Sequence, residues 1–150
     1  MKRENLLIVA DSERDADLLY AVRMFAPDPF IYFQLEGRCH VVMSDLELNR
    51  ARRIARHCRV LSWSHYIRRL HRNGLANPGF AHVVREILRE RRLKKVLVPA
   101  TFPFGLAREL RRLKVKVKVR EGPFFAQRQF KNAEEVKKIS AALMMAEVGL

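Results

Sequence analysis

Three groupings in this chain have residue types that support chemistry. Ser62-Trp63-Ser64-His65 sets two hydroxyls beside an imidazole, the pairing from which a nucleophile and its base are made. Asp11, Glu13, Asp15 and Asp17 crowd four carboxylates into seven residues, a density that suits a divalent cation. Cys39 and Cys58, with His40, His57, His65, His71 and His82, supply the ligand types of a zinc centre.

None of the three has the spacing its chemistry requires. Neighbours along a chain rarely point at each other, and no glycine-framed elbow surrounds Ser62 or Ser64, so this tetrapeptide reads as a strand end followed by a helix cap. Trp63 reads as a core plug at that strand end. The aspartates fall where a helix begins and complement its dipole. The histidines form no H-x-x-x-H with an intervening Glu and no H-x-E with downstream cysteines, there is no C-x-x-C, and His65 and His71 do not share one helix face. Two isolated cysteines make no framework and are expected as reduced thiols, Cys39 on a strand and Cys58 at the buried end of a helix stripe. The glycines are scattered, with no G-x-G-x-x-G after a strand. No catalytic, metal or cofactor-binding residue is therefore assigned, and an independent small enzyme is the least favoured class.

Charge is the other strong signal. The net charge is +14, but residues 1–49 carry −4, residues 50–120 carry +18 and residues 121–150 carry zero. The basic stretch offers one alternative function, a small nucleic-acid-binding protein in which Arg50, Arg53, Arg69, Arg92 and Arg112 contact phosphates. No reader motif and no basic ribbon interleaved with aromatics accompanies them, so the first reading is a set of solvated helix faces and nucleic acid is not the expected partner.

The elements that position these residues follow from periodicity. With 150 residues, 49% of them hydrophobic and 9% aromatic, the chain has the length and balance of one globular domain. A strand over 6–10 precedes a helix near 13–25 capped by Asp11 or Ser12. Strands near 30–35 and 39–43 flank the Glu36-Gly37-Arg38 loop and pair antiparallel. Ser44 and Glu47 have capping-box spacing for a helix to about Arg56 that buries Ala51, Ile54, Ala55 and Cys58. A short strand at Val60-Leu61 leads to a helix capped by Ser64. The residues Phe80, Val83, Val84, Ile87 and Leu88 mark the clearest amphipathic helix.

The apolar Val96 to Val98 is expected at the centre of a sheet. A helix burying Leu106, Ala107, Leu110 and Leu113 comes next. Val115 to Val119 alternates valine with lysine, as an edge strand does. The expected fold is α/β, three layers αβα around a mixed, mostly parallel sheet of about six strands. No apolar run approaches the ~20 residues of a membrane span. Met1 to Glu4 leads into a short strand rather than a signal sequence, so the expected location is cytoplasmic.

Residues 123–150 differ from what precedes them. Arg128, Lys131, Glu135 and Ile139 form R-x-x-K-x-x-x-E-x-x-x-I, with Asn132 and Glu135 spaced to cap a helix. Val136, Ile139, Leu143 and Leu150 lie along one stripe that needs a surface to cover it. We read a helix that continues past Leu150, with 1–122 as one domain and 123–150 as a junction and the first helix of the next.

This run, Leu6 to Ala10, the hairpin over 30–45, and Val96 to Ala100 with its Phe-Pro turn together resemble the N-terminal domain and domain junction of the creatinase, prolidase and Xaa-Pro aminopeptidase family. The resemblance implies a ribonuclease-H-like fold of the creatinase N-terminal type. It also implies a non-catalytic role: packing on a catalytic domain, dimerisation and shaping of active-site access. In that family a divalent metal pair, such as manganese, is held by two aspartates, a histidine and two glutamates of the later domain. Those positions lie beyond residue 150, so no cofactor is expected in this chain. The expected partner is that catalytic domain or a second copy of this chain, in a homodimer. A ribonuclease-H-like fold does not by itself imply nuclease chemistry, because the apolar strands carry no converging carboxylates.

Overall fold

A computed structural model describes residues 3–125. The elements run β1 (Leu6–Ala10), α1 (Ala16–Val22), β2 (Phe30–Leu35), β3 (Arg38–Met43), α2 (Leu48–Ile54), β4 (Arg59–Ser62), α3 (Trp63–Arg72), α4 (Phe80–Glu90), β5 (Lys95–Val98), α5 (Phe104–Arg112) and β6 (Lys116–Val119). The six strands form one sheet in the order β4-β3-β2-β1-β5-β6. β2 pairs antiparallel with both β1 and β3, and the remaining pairs are parallel, giving the mixed, mostly parallel α/β sheet expected.

Alternate residues of each strand face opposite layers. Leu7, Ile31, Phe33, Val42, Val96 and Val117 join the inner faces of α3, α4 and α5. On the other face Leu6, Ile8, Tyr32, Val41 and Met43 pack against Leu18 and Val22 of α1 and Ala51 of α2. Lysines at 116 and 118 keep the outer edge β6 from pairing further, as its alternation predicted. β5 lies one strand in from that edge rather than at the centre, which β1 and β2 occupy. An apolar run reports burial, and a strand next to an edge is also covered on both faces. Among the described residues no helix is long and apolar enough to cross a membrane.

Several local assignments differ from the sequence expectation. Asp15, not Asp11 or Ser12, caps α1: its backbone is extended and its carboxylate accepts from Leu18 N at 2.9 Å. Asp11 instead closes the preceding turn by accepting from Arg14 N, and Ser12 is fully buried. Ser44 makes no capping box; its carbonyl, not its hydroxyl, receives the N–H groups of Glu47 and Leu48. Ile54, expected inside, is 46% exposed, because α2 ends at that residue and turns away. α3 starts two residues earlier than the Ser64 cap implied, with Ser62 Oγ accepting from His65 N at 3.2 Å. That bond confirms the helix-cap reading of this segment. Trp63 packs on Phe80 with ring centroids 5.1 Å apart, partly buried at the strand end.

The largest correction concerns the cysteines. Cys39 and Cys58 form a disulfide rather than two free thiols. Parallel pairing of β3 with β4 sets His40 opposite Arg59, so the preceding residues, 39 and 58, are brought side by side with Cα atoms 4.5 Å apart. Nothing in their separation of 19 residues along the chain discloses this. The bridge staples the β3–α2–β4 crossover, a loop whose closure contributes about 3 kcal/mol in the chain-entropy account.

Candidate functional site

The β2–β3 turn is a two-residue loop with Glu36 at φ 53° and Gly37 at φ 80°, the mirror-image turn whose twist suits a tight hairpin. Gly37 also allows close approach, since a Cβ there would meet Arg3 Nη1 at 3.3 Å. Arg3 donates to the Glu36 carbonyl at 2.8 Å and so lies against this turn. Arg38 follows it, opening β3. Arg23 ends α1 in a left-handed conformation, Arg56 and Arg59 flank the α2–β4 connection, and Arg91 caps α4 at its C-terminus.

These six arginines line one open cleft of about 1220 Å³. Tyr20, Tyr32 and Phe125 supply aromatic surface, with the Phe125 ring 6.0 Å from Tyr20 and 6.2 Å from Tyr32. Burial pushes the Tyr32 hydroxyl up to about 12, so it stays neutral. Glu36 is the one carboxylate in the lining. None of the six guanidinium groups forms an ion pair with a described residue; the ion pairs found among those residues use Arg50, Arg69 and Arg120. Six positive charges against one carboxylate, between low-dielectric walls, attract anions, and planar guanidinium forks match phosphate or carboxylate oxygens.

His40 lies against the cleft and is 1% exposed. Its Nδ1 lies 3.0 Å from the Arg38 carbonyl; a carbonyl only accepts, so Nδ1 carries the proton. Burial, then the charge of Arg91, lowers its pKa; the Arg38 hydrogen bond opposes this, while Arg59 and Arg38 add to it. The unfolded chain takes up this proton near pH 6.5 and the folded chain only lower, so stability is complete above that value and is lost as pH falls through the folded one. Urea midpoints measured between about pH 7.5 and pH 5 should therefore fall, and His40→Gln should flatten that slope. An unchanged slope in the variant would assign the pH dependence elsewhere.

The arginines singled out from sequence do not converge. Arg50 pairs with Glu47 at 2.8 Å and donates to the Phe25 carbonyl. Arg69 is held between Glu86 and Glu90 on α4, its guanidinium 5.0 Å over the Tyr66 ring. Arg53, Arg92 and Arg112 are exposed on α2, after α4 and on α5, and none of the five lines the cleft. Of the residues that do, Arg56, Arg59 and Arg91 belong to the basic 50–120 stretch, whose arginines the sequence reads as solvated helix faces. The signal that was available is the cluster Arg56-His57-Cys58-Arg59, whose Arg59 lies opposite His40 in the sheet and whose Cys58 is bonded to Cys39. Arg128, Lys131 and Glu135, and the stripe Val136, Ile139, Leu143 and Leu150, lie outside the described residues.

The architecture matches solved enzymes. An X-Pro aminopeptidase from Thermotoga maritima superposes with TM-score 0.72 at 14% identity, over 96% of this chain and 38% of that one. The fold is one that solved Xaa-Pro peptidases contain. An Xaa-Pro dipeptidase from Bacillus anthracis gives TM-score 0.65 at 11% identity, covering 89% of this chain and 33% of that chain. A proline dipeptidase structure from Streptococcus agalactiae gives 0.55 at 12% identity, with 86% of this chain on 87% of that chain. The chain thus spans about a third to two fifths of the length of the first two enzymes. No family model and no curated protein matches the sequence.

Proposed function

We propose that this chain is the non-catalytic N-terminal domain of an Xaa-Pro aminopeptidase-like metallopeptidase, serving domain packing, dimerisation and the shaping of access to the active site. The observation that carries this reading is the likeness to the Thermotoga maritima enzyme, which takes in 96% of this chain but only 38% of that one. The rest of such an enzyme holds the metal pair, and this domain contributes surface. Phe25, Leu46 and Ile54 stand 58%, 94% and 46% exposed around α2, the kind of apolar surface that a second domain or subunit covers.

One preparation tests both halves of the reading. The chain should hydrolyse no Xaa-Pro peptide with added Mn²⁺, Co²⁺ or Zn²⁺, and chelator-sensitive turnover that copurifies with it would refute the non-catalytic role. In sedimentation the chain should be a dimer through the stripe at Val136, Ile139, Leu143 and Leu150, since leaving such side chains exposed forgoes about 1.5–3 kcal/mol each. Ile139→Glu with Leu143→Glu should give a monomer whose melting is nearly unchanged. A wild-type monomer at high concentration would remove the dimerisation role.

A second reading is favoured by the cleft: six arginines unpaired among the described residues suit a polyanion, single-stranded nucleic acid included. Its decisive measurement is the salt dependence taken up in the Discussion.

A further inference from the structure

Among the described residues, one group of histidine, cysteine and acidic side chains comes close enough to share an ion: Cys39, His57 and Cys58, whose ligand atoms all lie within 4.8 Å of one another. Zinc is held by sulfur at about 2.3 Å and imidazole nitrogen at about 2.0 Å, so ligand atoms around a tetrahedral ion stand about 3.3–3.8 Å apart. Opening the bridged sulfurs to that separation takes side-chain rotation and leaves β3 and β4 in place. Cys39 lies in β3 and Cys58 directly before β4, and the parallel register of His40 on Arg59 holds the two side by side.

The tautomer of His57 is already set. Its Nε2 lies 2.7 Å from the Ala21 carbonyl at the end of α1; that nitrogen must donate, and the lone pair of the neutral ring is left on Nδ1. A ligating histidine characteristically gives its other N–H to a carbonyl or carboxylate, which fixes ring and tautomer. His57 is exposed on the cleft wall, so an ion has a route in and a fourth position faces solvent.

We propose that reduction of the Cys39–Cys58 bridge creates a three-ligand site, Cys39, Cys58 and His57, for a thiophilic divalent ion of the zinc class. A dithiol reductant supplies two electrons and two protons. The S–S bond breaks, two thiols form, and the reductant closes its own disulfide. The ion then displaces both thiol protons to solvent, forming two sulfur–metal bonds and one nitrogen–metal bond. Two thiolates cancel the charge of the ion, so the site adds no net positive charge beside Arg38, Arg56 and Arg59. A cation held by neutral ligands there would be repelled. The fourth position, among those guanidinium groups, suits an anion. The bridge and the metal site exclude each other, so the redox state of one pair of sulfurs decides whether the crossover is closed covalently or by an ion.

The full chain, reduced with an immobilised phosphine and handled without oxygen, should be titrated with Co²⁺. The expected result is one ion per chain with thiolate-to-cobalt charge-transfer absorption in the near ultraviolet, displaced by Zn²⁺, and none in the oxidised chain. Cys39→Ser and Cys58→Ser should each weaken that absorption, and His57→Gln should lower affinity at least about tenfold. If a cysteine variant fails to fold, alkylation of the reduced, folded wild type should abolish binding instead. Equal Co²⁺ binding by oxidised and reduced chains, no charge-transfer absorption on reduction, or undiminished affinity in His57→Gln would each overturn the proposal.

Discussion

Single-stranded DNA should bind this chain at low ionic strength and be largely released by roughly 200 mM salt. Counterion release gives a slope near −0.7 per phosphate neutralised on a single strand, so the six cleft arginines together set a slope of about −4. Between about 50 and 200 mM salt, that slope corresponds to a loss of roughly 300-fold in affinity. Binding should show no sequence preference, because guanidinium on phosphate positions a strand without reading its bases.

Arg38→Ala with Arg59→Ala should lower the slope by about 1.4. The pair Arg92→Ala with Arg112→Ala, away from the cleft, should leave it nearly unchanged. Fluorescence anisotropy of a labelled oligonucleotide measures all three. Affinity that survives the higher salt and distinguishes sequences would make nucleic-acid recognition the primary function and displace the peptidase-domain reading. A slope that responds to Arg92 and Arg112 rather than Arg38 and Arg59 would place the polyanion elsewhere.

Ser12→Ala should be among the most destabilising single-atom deletions in the domain. The hydroxyl is fully buried, donates to the Met24 carbonyl at 2.5 Å and accepts from Ala26 N at 2.8 Å. It thereby fixes the segment that carries the chain from α1 into β2, where Met24 and Ala26 are themselves buried. Alanine leaves one buried acceptor and one buried donor without partners, at about 1–3 kcal/mol each, so a loss of about 2–6 kcal/mol is expected. In a domain of this size that lowers the melting temperature by roughly 10 °C or more. Ser44→Ala is the natural control. Capping-box spacing suggests a loss near 1 kcal/mol, whereas a hydroxyl that caps nothing predicts a change within about 0.5 kcal/mol. Equal effects of the two substitutions would show that Ser12 does not hold the segment.

What local sequence determines is which face of each element is buried. The alternation in β6, the i, i+3, i+4, i+7 run of α4 and the glycine turn of the hairpin are each decided by residues within a few positions, and all three elements are present as expected. The family resemblance, carried by the run from Arg128, Leu6 to Ala10, the hairpin and Val96 to Ala100, anticipates the mixed αβα sheet. Caps were less legible: Asp11, Ser12 and Asp15 are all good capping residues, and the choice rests on which one has extended backbone when the helix docks.

Tertiary structure alone decided the site. The cleft arginines come from the N-terminal segment, the end of α1, the hairpin, both ends of the α2–β4 connection and the end of α4. They meet because β3 pairs parallel with β4 in one register and because α1 and α2 share one face of the sheet. The same register joins Cys39 to Cys58 and sets His57 against them. A shift of one residue in that pairing would undo these contacts without altering any local pattern, since register is a property of two segments together and periodicity is a property of each alone.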